Sequence, residues 1–197
     1  MAQTFQRQKL FRISAYSMLT ALIIILTFTP IGYLNTGALS ITLIHLPVIV
    51  AAVTLGIPGG VSMGAVWGVT CLIKAYLVPP ADGLLFRNPL TSILPRVLAG
   101  LVAGLLFWAL SRRAKQLKTA LAAGIAAFGG ALTNTIVTLS MLYLLYHNAL
   151  QIENVSIGGL GKWIWVAAGL NAPIEIAAAV LLAVPVSLAV KKALESR

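Results

Sequence analysis

Negative charge is nearly absent from this chain. Of 197 residues only four are acidic, Asp82, Glu153, Glu175 and Glu195, and only 9% are charged at all. A soluble domain carries about 25% charged residues, so a water-exposed surface of ordinary size cannot be built from this composition. No two of the acids fall at a shared depth, which excludes a paired-carboxylate hydrolase, and no cluster has metal-ligand spacing. A single cysteine, Cys71, rules out a disulfide framework or a cysteine metal site within one chain. Within an apolar segment it reads as a small core residue. The phosphate-binding pattern G-x-x-x-x-G-K-[ST] does not occur, nor do H-E-x-x-H and G-x-S-x-G, so neither ATP binding nor hydrolysis of the usual kinds is expected. No two halves match as inverted repeats, the usual mark of an ion-coupled carrier. The chain reads as a non-enzyme.

What is abundant is apolar sequence, 59% of the residues. Crossing a hydrocarbon core of about 30 Å takes about 20 apolar residues in a helix. Runs of suitable length lie at about 13–31, 59–77, 91–111, 119–146 and 163–190, with a shorter one at about 41–56. Pro47 sits in that short run, which is therefore expected to be tilted, broken or sheltered. The reading is an all-α integral membrane protein, one six-helix domain over 1–197 with no soluble domain. No cleavable signal peptide is expected, since no small-residue cleavage site follows the N-terminal segment early enough.

The net charge of +10 has a topological meaning. Arg7, Lys9, Arg12, Arg112, Arg113, Lys115, Lys118, Lys191, Lys192 and Arg197 all fall on one face of a six-span bundle. By the positive-inside rule that face is cytoplasmic, with both termini, and no nucleic-acid partner is required. Lys74, Arg87, Arg96 and Lys162 fall at or near the outer face.

A rise of about 1.5 Å per residue turns position into depth. Asn134 then lies about 20 Å up from the inner face, Asn171 and Glu175 about 12 and 18 Å down from the outer one, and Arg96 within about 10 Å of it. Asn171 and Glu175, four apart, share a helix face, and Trp67, Thr70 and Lys74 climb another. Polar groups from four spans thus converge in the outer half. Arg96 and Glu175 carry the strongest signal, because an ionisable group within a membrane marks a substrate path or a buried pair; an Arg96–Glu175 ion pair is the structural alternative. Tyr143, Tyr146, Trp163 and Trp165 fit an interfacial belt, and His45 and His147 read as structural or exposed. Gly60, Gly64 and Gly68, with Gly100 and Gly104, have the spacing for close helix packing, and Ser17-x-x-x-Ala21 forms a small-residue stripe on the first span.

The stretches GYLNTGALSITLIHLPVIVAAVTLGIPGGVSMGAVWGVTCLI, NPLTSILPRVLAGLVAG and GGALTNTIVTL resemble the substrate-binding S components of energy-coupling factor vitamin transporters, most of all the pantothenate-specific type. The likeness covers essentially the whole chain. It implies a multi-pass protein of the bacterial cell membrane that captures an extracellular vitamin with high affinity. The protein would then dock on a transmembrane scaffold subunit carrying two cytoplasmic ATPases and topple in the bilayer to deliver its cargo. ATP and Mg belong to those partners, and no cofactor is expected here. The family's span-one scaffold contact, A-x-x-x-A, corresponds to Ser17 and Ala21, with serine in place of the first alanine.

Pantothenate, with one carboxylate, an amide and two hydroxyls around a branched apolar centre, suits the residues. Arg96 would hold the carboxylate, Asn134 and Asn171 the amide and hydroxyls, and Trp67 would cover the apolar part. Asn88 and Lys74 are secondary candidates, and Glu175 would accept from a hydroxyl or orient Arg96. Three alternatives stay open: an S component for folate, niacin, riboflavin or cobalamin; a stand-alone carrier with Glu175 and Lys74 as relay; and a structural membrane subunit.

Overall fold

A computed structural model describes residues 2–35, 40–77, 83–113, 119–146 and 172–195. Its elements are α1 (Ala2–Phe28), a one-turn 3-10 helix (Pro30–Gly32), β1 (Tyr33–Asn35), β2 (Ser40–Thr42), α2 (His45–Thr54), α3 (Ile57–Leu77), a second 3-10 turn (Gly83–Phe86), α4 (Pro89–Ser92), α5 (Leu94–Arg113) and α6 (Thr119–Tyr146). The last helix starts as α7 (Ala172–Ala178), widens into a π turn (Ala179–Ala183) and continues as α8 (Val184–Glu195). Among the described residues five helical stretches are long and apolar enough to cross a membrane: Lys9–Phe28, Ile57–Leu77, Pro89–Arg112, Thr119–Tyr146 and Ala172–Lys192. With the shorter α2 they form an all-α bundle carrying one small hairpin.

The short second span departs from the expectation at 41–56. Its first residues are strand, not helix: β2 pairs antiparallel with β1, Leu34 opposite Ile41. Helix begins only at His45, so Pro47 stands in the first turn, where a missing N–H costs no intrahelical bond. The proline therefore marks a start, not a break. Ten residues span about 15 Å, half of a bilayer core. The hairpin is tied to its surroundings by Leu43 N–H on Gly32 O at 3.0 Å and by Thr42 N–H on Glu175 Oε1 at 2.8 Å. Non-helical backbone near a membrane needs such partners, because lipid supplies none.

The glycine spacing does what it suggested. A Cβ on Gly60 would strike Gly100 O, and one on Gly64 would strike Arg96 O, so α3 and α5 meet backbone to backbone. Gly130 brings α6 close as well, though less tightly: a Cβ there would sit 3.2 Å from Ala99 O and 3.8 Å from Ile49 Cγ1 of α2. Two packed clusters fill the rest. One joins Ile49, Val50 and Val53 to the alanine face of α6 and to Ala179 and Ala183; the other joins Ile23, Ile44, Val48, Met63, Trp67 and Cys71. The outer face of α1 is left apolar and uncovered, Met18 being 76% exposed where Ile23 is fully buried. That contrast is what a lipid-facing helix requires.

Candidate substrate-binding site

Helix register sets the level of the polar groups. Ile49, Ala99 and Gly130 meet at one height. One turn toward the hairpin end, α2 presents His45, α5 presents Arg96 and α6 presents Asn134. On α3, Gly64 packs against Arg96 and Gly68 against Ile93, so Trp67 falls at the same height. The convergence of Arg96, Trp67 and Asn134 expected from depth alone is thus present in the packed bundle.

Arg96 is the centre of this layer. It is 7% exposed, and its guanidinium lies between two aromatic faces, 5.2 Å from the centre of the Trp67 ring and 5.4 Å from that of Phe86. Nη1 donates to Thr91 O at 2.7 Å and, at a longer 3.4 Å, to Thr138 Oγ1. Nε is buried without a partner among the described residues. Arg96 also stands in the first turn of α5, a turn with no acidic residue, where the helix dipole adds its own positive potential. Glu175 does not neutralise it. That carboxylate accepts from the Thr42 backbone and forms no ion pair with Arg96, although it lies within electrostatic reach. The result is a buried guanidinium, flanked by rings and without an ion pair among the described residues, that suits an anion.

Three further polar atoms at this level are buried with no hydrogen-bond partner among the described residues: Trp67 Nε1, Asn134 Oδ1 and His45 Nε2. Buried polar groups are almost always paired, so each demands a reason. Together with Arg96 Nε they supply two donors, one acceptor and one imidazole nitrogen able to act as either. A small molecule with a carboxylate, an N–H or O–H donor and an apolar body is the complement of that set.

Other expected residues have different employment. Lys74 Nζ donates to Thr27 O at 2.8 Å and sits 3.7 Å from the centre of the Tyr33 ring; it caps the C-terminal end of α1, where a cation is favoured. Burial pushes the Tyr33 phenol far above its usual range, so the ring stays neutral beneath that ammonium. Asn88 caps α4, its Oδ1 accepting from Leu90 N–H at 3.0 Å. Thr70 bonds Trp67 O and Thr27 Oγ1, joining α3 to α1. Cys71 is buried in the core as expected. Ser17 and Ala21 are exposed on α1. Asn171, His147, Trp163, Trp165 and Lys162 lie outside the described residues. Phe86, Thr91, Thr138 and His45 were not foreseen as part of the site. Their roles arise from turns and register, and only His45, a polar residue opening an apolar run, left any trace in the sequence.

The family described as ECF transporter, substrate-specific component, matches residues 11–187. This chain belongs to that family. As a substrate-specific component it is a transport subunit with membrane-spanning helices. It is 38% identical over 94 residues to a pantothenate transporter PanT of Leuconostoc mesenteroides, covering 47% of this chain and 46% of that one. It is 30% identical over 124 residues to a pantothenic acid transporter PanT of Lactococcus lactis, covering 56% and 60%. The matched stretches therefore span about half of each relative's length.

Proposed function

We propose that this substrate-specific component captures pantothenate from the outer side of a bacterial cell membrane and delivers it inward with an energy-coupling module. The observation that carries the reading is the guanidinium of Arg96, buried between Trp67 and Phe86 with no ion pair and with Nε unpaired among the described residues. The pantothenate carboxylate binds Arg96, and the amide N–H or a hydroxyl satisfies Asn134. The indole of Trp67 covers the branched centre and offers Nε1–H. Both relatives are named for the same vitamin. Glu175 accepts from a hydroxyl, at the end of the ligand away from the carboxylate.

Delivery rests on partners. A transmembrane scaffold subunit meets the exposed Ser17 and Ala21 stripe, and two cytoplasmic ATPases supply the driving force from ATP and Mg. Both termini lie in the cytoplasm. A stand-alone carrier gains little support: its two relay groups, Lys74 and Glu175, are each held by a separate backbone group.

The test is thermal unfolding of the purified protein in detergent against a panel of pantothenate, folate, niacin, riboflavin and cobalamin. A ligand at 100 times its dissociation constant adds about 2.7 kcal/mol. Stabilisation by pantothenate alone is the expected outcome. A response to a different vitamin keeps the class and discards this site chemistry. Silence across the panel, or uptake that follows a pH gradient without any ATPase, refutes the proposal.

A further inference from the structure

His45 opens α2 at the level of Arg96 and Asn134, 4% exposed, with Nε2 buried and unpaired among the described residues. The backbones of Thr42 and Glu175 adjoin the imidazole, yet Nε2 is left without a hydrogen bond among the described residues. An imidazole nitrogen hidden from water without a partner costs stability that a leucine at the same place would not. Its neighbours give the pocket a polarity. Arg96, backed by the first turn of α5, forms a positive end. Glu175, held by Thr42 N–H at 2.8 Å, adjoins His45 and offers a carboxylate no positive charge. An anionic ligand is therefore oriented with its charged group on Arg96 and its neutral polar groups toward α2 and α7.

From this we infer that His45 is a substrate-binding residue, and that its Nε2 pairs with a hydroxyl of the ligand at the end remote from Arg96. The inference deepens the pantothenate reading and rests on it. His45 then discriminates among small carboxylates: those with a hydroxyl at the right distance satisfy Nε2, and those without leave it buried and unpaired. A site built to bond a hydroxyl rejects the analogue that lacks it far more strongly than a purely apolar pocket could. Specificity within the pocket is thus divided, with Arg96 selecting the charge and His45 the hydroxyl.

Two substitutions separate the nitrogens. In His45→Gln the terminal amide reaches the position of Nε2; in His45→Asn it reaches only that of Nδ1. Calorimetric titration with pantothenate and with its two mono-deoxy analogues, alongside ligand-free melting, reads both variants. The expected result is about tenfold weaker pantothenate binding by H45N, one hydrogen bond's worth. H45Q should bind within about threefold of the wild type, and H45N should melt with the wild type when ligand-free. One mono-deoxy analogue should bind wild type and H45N equally, since it lacks the group that Nε2 would meet. The inference is overturned if H45N binds pantothenate as the wild type does, or if H45N loses affinity equally for all three ligands. It is overturned too if ligand-free H45N melts well below the wild type, which would make His45 a scaffold residue. Failure of the wild type to bind pantothenate is a separate outcome, and it overturns the parent reading and this one together.

Discussion

Replacing Arg96 by methionine removes a charge while keeping most of the length and volume of the side chain. On the proposed reading the guanidinium would give the ligand carboxylate two charge-assisted hydrogen bonds, each contributing about 1.5–3 kcal/mol. Losing both costs about 3–6 kcal/mol, or a factor of about 10² to 10⁴ in affinity. The ligand-free protein responds differently. It loses the bond to Thr91 O at 2.7 Å but is relieved of a buried charge that has no ion pair among the described residues, a penalty of several kcal/mol. Its melting temperature should therefore stay level or rise. Calorimetry with pantothenate, paired with thermal melting in the absence of ligand, reads both quantities on one preparation. Arg96→Lys keeps the charge and gives up the planar fork, so its affinity should fall between the two. The reasoning fails if R96M binds pantothenate within about threefold of the wild type. It fails equally if ligand-free R96M melts far below the wild type, since Arg96 would then be holding the bundle together.

Lys74→Met should behave in the opposite way, lowering the melting temperature through loss of the α1 cap, worth about 1–2 kcal/mol, while pantothenate affinity stays within about threefold; a large affinity loss at unchanged stability would return Lys74 to the site. Tryptophan at Ser17 and Ala21 together should leave binding in detergent intact and abolish ATP-driven uptake in vesicles holding the complete transporter, and normal uptake would remove this stripe from the scaffold contact.

How much of this was legible in the sequence depended on how local each signal was. Apolar run length and the four-residue glycine spacing depend on one helix at a time, and they led to the bundle and to the α3–α5 contact. Depth reckoning brought Arg96, Trp67 and Asn134 to one level because helical rise is constant. The hairpin escaped notice: each strand is three residues long, too short for alternation to register, and its pairing is a tertiary event. Pro47 marked the second run as tilted, broken or partly sheltered, and it is sheltered, eight of the ten α2 residues being buried; whether a proline breaks or begins a helix depends on where the helix starts. Lys74 and Asn88 stood at the right end of the bundle but are occupied by helix termini, Thr27 O and Leu90 N–H, which no spacing rule foretells. His45 reads from the sequence as structural or exposed, and it is buried; the missing partner of its Nε2 is a fact of packing that a sequence cannot display.

The glycine contact between α3 and α5 has a mechanical consequence. Where side chains interdigitate, two helices can slide by exchanging rotamers. Where backbone touches backbone, as at Gly60 with Gly100 and Gly64 with Arg96 O, there is no such compliance, and the pair moves as a single stiff plate. Trp67 and Arg96 are mounted on its two halves. A reorientation of the whole protein in the bilayer would carry the indole and the guanidinium together, so a cargo bound to both would ride on the plate without being sheared. Release must then come from the elements mounted around it, the half-length α2 with its hairpin and the last helix with its π turn.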